Sequence, residues 1–301
     1  MVESTENDSR FRLIFKVEKD RIRLRDFLSN QGISRRTLTA IKYDGGKLSV
    51  NGIVHDVRHL LLLGDEVEIL FPPEEMSTGL ALEYGHLDII YEDEAILILN
   101  KPPGQSTMPS SNHKSGTIAN FIAGKYAREL IPSTVHIVTR LDHNTSGLVC
   151  IAKNRHIHHL MSQQIMKSTF RRQYEAIVEG HVGEDEFTIS EPIGRKDGSI
   201  IERIVREDGQ ESRTSVRVIN RFTKNGRDLT KIALILHTGR THQIRVHMQW
   251  AGHPLAGDDL YGGHRDVISR QALHCAEIVF NHPITGAGQT FRKDMPNDMK
   301  F

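Results

Sequence analysis

A chain of 301 residues exceeds what one hydrophobic core usually organises, so two domains are expected. With 38% apolar and 26% charged residues the composition is that of a globular protein, and a net charge of +1 excludes a globally basic nucleic-acid binder, leaving only local patches to contact a polyanion. Two cysteines exclude a disulfide scaffold, the polar start MVESTENDSR lacks the basic and apolar regions of a signal peptide, and no apolar run approaches the roughly 20 residues of a membrane span.

Residues 1–9 read as a disordered tail. FRLIFKV (11–17) alternates like a strand, and RLRDFLSNQ (23–31) sets Leu24, Phe27 and Leu28 at helical spacing. Ser34 suits the cap of a second helix, RRTLTAIK, ending near Gly45-Gly46. KLSV, Asn51-Gly52 and IVH then spell strand, type I′ turn and strand. Gly64-Asp65 turns into EVEILF, and Pro72-Pro73 followed by EEMSTG reads as a linker. Residues 10–75 are therefore expected to form a small αβ module, with 76–84 joining it to the rest. Between Arg10 and Lys42 ten Lys/Arg stand against three acids. That balance fits either a solvated helix face or a phosphate-contacting one. Leu24-Arg25, Phe27-Leu28, Ser34-Arg35-Arg36, Val50-Asn51-Gly52 and Gly64-Asp65 together resemble the small RNA-binding domain named after ribosomal protein S-four. The resemblance implies RNA contacts by Arg35 and Arg36.

Residues 85–301 alternate strands with few helices. DIIYEDEAILILNKPPG holds two strands around an acidic turn, and GTIANFIAGKYARELI is an amphipathic helix. HIVTRL and GLVCIAK are strand-like, IHHLMSQQIM is helical, and RRQYEAIVEG, TSVRVINRF and KIALILHTG are strand-like again. RTHQIRVHMQWAG is expected to be a helix, with Thr241 its cap and Gly252 its stop. The pattern is α+β: a mixed, mainly antiparallel sheet with helices against it.

Within HIVTRLDHNTSG (136–147), strand alternation puts Arg140 and Asp142 on one face and turns Leu141 to the core. Asn144 to Gly147 form a turn that presents the pair. This is either a structural ion pair or a rigid, reachable carboxylate of the kind a nucleophile or general base must be. From Lys153 to Gln173 there is no acid, but Lys153, Arg155, Lys167, Arg171 and Arg172 occur. Such a run is a basic surface face or a polyanion contact. Tyr174 follows it, placed either to stack on a base or to pack in a core. On the helix at 241–252, Ile244, His247, Met248 and Ala251 make one apolar stripe and Val246 and Trp250 a second. His242, Arg245 and Gln249 share the remaining strip, which should face a cleft. A buried Arg245 needs an anion, and Asp142 or a structural carboxylate could supply it. Of the 17 histidines, His156-x-His158-His159 and His242-x4-His247 lack the common zinc spacings. No metal or cofactor is expected.

Arg140-Leu141-Asp142 with Thr145-Ser146-Gly147, Tyr174 in a strand, and Gly239-Arg-Thr-His-Gln-Ile-Arg-Val-His247 resemble the RluA/RluD family of pseudouridine synthases. Asn100-Lys101-Pro102 and Gly252-His253-Pro254 through Asp258 and Tyr261-Gly262 extend the match over nearly all of residues 88–282. The resemblance implies isomerisation of uridine in RNA, with ribosomal RNA the expected substrate, by base flipping and without metal or cofactor. It implies Asp142 as the essential carboxylate, Tyr174 stacked on uracil, Arg245 paired with Asp142, and Arg140 filling the flipped base's place. Lys101, Lys153, Arg171, Arg172, Arg240 and His242 are further expected RNA contacts. Thr139 stands where relatives usually carry histidine; alternation turns it away from Asp142, toward a supporting role. The segment QSTMPS (105–110) is also atypical and is expected to alter the mouth of the site. A cytoplasmic monomer is expected. The competing functions are a non-catalytic RNA-binding or ribosome-assembly protein on the same fold, and an RNA glycosidase that releases uracil.

Overall fold

Two main hydrophobic cores, one on each side of Pro72-Pro73, organise the chain. The computed structural model describes residues 9–111 and 113–300; of the tail expected over 1–9, residues 1–8 lie outside the described residues. The first core is enclosed by β1 (Arg12–Lys16), β2 (Ile22–Arg23), α1 (Leu24–Asn30), α2 (Arg35–Tyr43), β3 (Lys47–Val50), β4 (Ile53–Val54), β5 (Leu60–Leu61) and β6 (Glu66–Leu70). Leu24, Phe27 and Leu28 are buried, as their helical spacing requires. Ser34 caps α2 by accepting from Thr37 N at 3.1 Å. Asn51 and Gly52 both have positive φ, 51° and 79°, which is the I′ geometry joining β3 to β4. The main sheet runs β1-β6-β3-β4, and β2 pairs with β5 separately.

The segment after Pro73 lies along the second core. The Glu74 carboxylate accepts from Arg155 N at 2.7 Å, Ser77 N donates to Thr134 Oγ1 at 3.1 Å, and Asn120 Nδ2 donates to Ala81 O at 2.9 Å. Phe71 stacks on His156 with ring centroids 5.1 Å apart.

The second core holds β7 (Ile89–Glu92), β8 (Ile96–Lys101), α3 (Ile118–Arg128), β9 (His136–Ile137), β10 (Ser146–Ala152), α4 (Arg155–Met166), β11 (Arg171–Glu179), β12 (Glu186–Ile189), β13 (Ile193–Arg195), β14 (Arg203–Val205), β15 (Thr214–Lys224), β16 (Arg227–Leu236), α5 (Gln243–Trp250), β17 (Leu273–Asn281) and β18 (Gly288–Arg292). Ten strands form one sheet of order β12-β15-β16-β11-β17-β10-β8-β7, with β9 added on β10 and β18 on β17. All pairings are antiparallel except β10 with β17, so the sheet is mixed and mainly antiparallel within an α+β fold. Every residue of β10 is buried, as a central strand covered on both faces must be. Gly147 is needed where β10 meets β17: at φ 113° a side chain would be strained, and a Cβ would strike the Cys275 backbone.

Four expectations need correction. HIVTRL is strand only at His136–Ile137. Val138 N and Thr139 N both bond to Cys150 O, which ends the ladder, and the Thr107 hydroxyl takes over both backbone groups of Leu141. The in–out alternation survives without a strand: Thr139 and Leu141 are buried, Arg140 is exposed and Asp142 half-buried. Thr241 does not cap α5; His242 holds the cap position at φ 57° and makes no cap bond. The Gln243 side chain instead ties down the preceding turn, accepting from Arg240 N at 3.0 Å. Trp250 is exposed rather than part of a second buried stripe, while Gly252, with φ 83°, does end the helix. Strand β17, central in the sheet, has no counterpart among the expected elements, since LHCAEIVFN is neither cleanly alternating nor flanked by turn residues on both sides.

Candidate active site

A cleft of about 690 Å³ opens between the loop before β10, the start of β11 and the N-terminus of α5. It is large enough for a nucleotide-sized ligand. Its polar wall carries Arg140, Asp142, Arg172, Arg240, His242 and Arg245, and its apolar side carries Leu236, Ile244 and Leu273. Tyr174 is buried at the base, 4% exposed.

Asp142 stands on a backbone that is fixed residue by residue. The carbonyl of Leu141 accepts from Thr107 Oγ1 at 2.9 Å, that of Asp142 from Thr145 N at 3.0 Å, that of His143 from Lys101 Nζ at 3.0 Å and that of Asn144 from Arg270 Nη1 at 3.0 Å. Four consecutive carbonyls are thus held, two of them by buried basic side chains, and the carboxylate is aimed into the cleft without a strand beneath it. The loop carrying Thr107 is the segment 105–110, whose residues from Ser106 to Ser110 line the cleft.

Arg245, 6% exposed, is the centre of the charge arrangement. Its Nε and Nη2 donate to Asp258 Oδ2 and Oδ1 at 2.7 and 2.8 Å, a bidentate pair with a carboxylate only 1% exposed. Its remaining Nη1 donates to Asp142 Oδ2 at 3.1 Å. Asp258 and Asp142 hold the guanidinium charged despite its burial, and the Tyr261 ring lies 4.8 Å from it. Both partners that the sequence left open for Arg245 are therefore present. Asp258, which the sequence marks only as part of the stretch that extends the family resemblance, is thus a site residue that the sequence reading assigns no role. Burial raises the Tyr174 phenol, and the Asp142 charge raises it further, so the ring is neutral at pH 7.

The expected RNA contacts divide. Arg140 is exposed at the rim, and Arg172 shares a strand face with Tyr174 two residues on. Arg240 is exposed in the cleft wall, its Nε donating to Glu211 O at 3.1 Å, whereas Arg171, exposed one residue before Arg172, does not line the cleft. Arg35 and Arg36 are exposed in the first turn of α2. His242 turns inward, its Nδ1 bonded to Tyr261 Oη at 2.8 Å. Two expectations fail. Lys101 is fully buried and gives its three donors to Pro102 O, Gln105 O and His143 O, so it anchors the Asp142 loop and faces no RNA. Burial pushes its pKa down to about 7, against the pull of Asp142. Lys153 donates to Glu92 Oε1 at 2.9 Å and to Asp93 O at 2.8 Å, at the end of β10 away from Asp142. Seven residues of strand, roughly 20 Å, lie between it and the turn that carries Asp142. Thr139, buried, accepts from Cys150 N at 3.0 Å and supports β10 as its alternation implied.

Residues 95–250 match the family model described as RNA pseudouridylate synthase. The chain is 45% identical to the uncharacterized RNA pseudouridine synthase YjbO of Bacillus subtilis over 276 residues, 92% of this chain and 96% of the relative. It is 34% identical to the ribosomal large subunit pseudouridine synthase D of Vibrio parahaemolyticus over 269 residues, 84% of this chain and 81% of that one. Among solved structures, human RNA pseudouridylate synthase domain containing 1 superposes with a TM-score of 0.58 at 25% identity, covering 71% of this chain and 86% of its own. Matched through the residues that carry the cleft and along most of its length, the chain belongs to the RluA/RluD family and is an RNA pseudouridine synthase.

Proposed function

We propose that the enzyme isomerises uridine in large-subunit ribosomal RNA, with Asp142 as the essential carboxylate in a flipped-base mechanism. The observation that carries this reading is the 3.1 Å bond from Arg245 to Asp142, in a cleft based on Tyr174. Arg245, fixed by Asp258, orients Asp142 from behind, and the carboxylate meets the ribose of the ejected nucleotide. Tyr174, neutral and buried, stacks on the uracil. Arg140, exposed two residues before Asp142, fills the vacated place in the RNA and offsets part of the few kcal/mol that flipping costs. Arg171, Arg172 and Arg240 contact phosphates around the cleft. Residues 10–75 act as an S-four-like RNA-binding domain through Arg35 and Arg36, with 76–84 as the segment joining it to the catalytic domain, 85–301. The ribosomal substrate is argued from relatives named ribosomal large subunit pseudouridine synthase D, 32–34% identical to this chain. The enzyme works as a cytoplasmic monomer and uses no cofactor.

Asp142→Asn tests the central assignment: pseudouridine formation is abolished while RNA affinity stays at the wild-type value. Pseudouridine made by that variant refutes the role of Asp142. Release of free uracil by the wild-type enzyme would instead mark a glycosidase. Mapping pseudouridines in ribosomal RNA from cells with and without the gene tests the substrate; unchanged ribosomal maps would point to another RNA.

A further inference from the structure

The polar cluster behind Asp142 does not end at Arg245. His242 sits at φ 57° and ψ 19°, uncommon for a residue other than glycine, and it gains no helix-cap bond there. That backbone carries its imidazole between Tyr261 and Asp142. Nδ1 lies 2.8 Å from Tyr261 Oη, and Nε2 lies 3.8 Å from Asp142 Oδ2. Tyr261 Oη accepts the Arg203 N–H at 3.0 Å, which leaves its own proton for Nδ1. The opposite arrangement would aim the Nε2 lone pair at a carboxylate oxygen, which is repulsive. The tautomer with its hydrogen on Nε2 aims a donor there instead. Oδ2 is also the oxygen that Arg245 holds, so the second oxygen, Oδ1, is left to the substrate.

We propose that His242, its tautomer set by Tyr261, is a positioning residue for Asp142: Nε2–H closes on Oδ2 when substrate fills the cleft and dedicates Oδ1 to the reaction. This rests on the reading of Asp142 as the essential carboxylate, and it replaces the RNA-contact role expected for His242. A separation of 3.8 Å in the free enzyme that closes to a hydrogen bond on the substrate is ordinary behaviour for a catalytic centre. Burial holds His242 below the usual imidazole range; Asp142 and Asp258 pull it up, and Arg245 and Arg203 push it down. The neutral form is therefore the resting form at pH 7. Protonating it turns a neutral donor into a cation beside Asp142, which lowers the reactivity of the carboxylate. Activity should then fall as the pH drops through the His242 titration, which burial places below the usual imidazole range.

His242→Gly is the direct test, because glycine suits φ 57° and removes the imidazole without backbone strain. Its kcat should fall on the order of tenfold, the low end for a hydrogen bond to a charged group, with KM and RNA affinity unchanged. His242→Gln keeps an amide donor near the Nε2 position; it should recover most of kcat and lose the His242 limb of the pH profile. Tyr261→Phe keeps the ring against Arg245 but leaves Nδ1 without its donor, so the tautomer is no longer fixed and kcat should fall. Wild-type kcat in His242→Gly overturns the proposal, as does an acid limb in His242→Gln identical to wild type. Loss of RNA affinity with kcat intact would also overturn it and restore the RNA-contact role. If Asp142→Asn stays active, the Asp142 reading itself fails, whatever the His242 variants do.

Discussion

Replacing Asp258 by asparagine should unfold this protein more readily than any change to Asp142. The side chain is 1% exposed and takes two of the Arg245 donors at 2.7 and 2.8 Å. An amide in its place has no charge and turns an N–H toward one of those donors. Breaking a buried ion pair costs about 3–5 kcal/mol, because the remaining charge stays buried without compensation. Arg245 retains one carboxylate, Asp142 at 3.1 Å, so the low end applies, about 3 kcal/mol. For a chain of this size each kcal/mol moves Tm by roughly 2–4 °C, giving a drop of roughly 6–12 °C. Calorimetric unfolding of Asp258→Asn beside Asp142→Asn measures it. Asp142 is half-buried and its replacement leaves the bidentate pair whole, so Asp142→Asn should unfold within about 2 °C of wild type. Equal Tm values for the two variants would refute the claim that Asp258, rather than Asp142, neutralises Arg245 in the folded state. The double change Arg245→Met with Asp258→Leu should cost less than Asp258→Asn alone, since no buried charge is then left behind.

Two further outcomes follow from other parts of the structure. His156 is buried with neither ring nitrogen hydrogen-bonded, and burial pushes its pKa down to about 4. The unfolded chain therefore binds more protons between about pH 6.5 and 4; stability is full above that window and falls within it, by up to about 3 kcal/mol. His156→Phe keeps a ring on Phe71 and should remove that part of the acid loss in denaturant titrations; an unchanged pH dependence would show that His156 does not titrate with folding. Arg35→Gln with Arg36→Gln should lower RNA affinity and reduce the slope of log K against log salt by about 0.7–0.9 for each phosphate that is no longer neutralised. Slopes equal to wild type would remove both arginines from the RNA interface.

Much of the local structure was legible in the sequence because local chemistry dictates it. Ser34 supplies the acceptor its helix lacks, Asn51-Gly52 is a pair that tolerates two positive φ angles, and Gly252 ends a helix no other side chain would end as cheaply. Residues 139–142 keep their alternation even though the ladder stops at Ile137, because Leu141 still has a core to enter. The end of that strand was not legible, since it depends on Cys150 O taking two donors and on a hydroxyl 34 residues upstream.

The charged residues show where the limit lies. By itself the sequence determined which residue types gather at the cleft: Asp142, Tyr174 and Arg245 come from three segments with recognisable motifs. Only the tertiary structure decided the partner of each charge. Lys101 and Lys153 look like surface cations in any window of sequence. One is enclosed where β8 and β10 pair, opposite Gly147, and the other meets Glu92 across the same sheet. Arg245 needed an anion on any reading, but a buried guanidinium with several donors can satisfy two carboxylates at once. Which one neutralises it and which it orients was fixed by the chain folding back after Gly252 to bring Asp258 behind it. Hydrophobic period and turn chemistry act over a few residues and can be read in order; charge pairing acts through space and is settled by whichever opposite charge the packed core brings within about 3 Å.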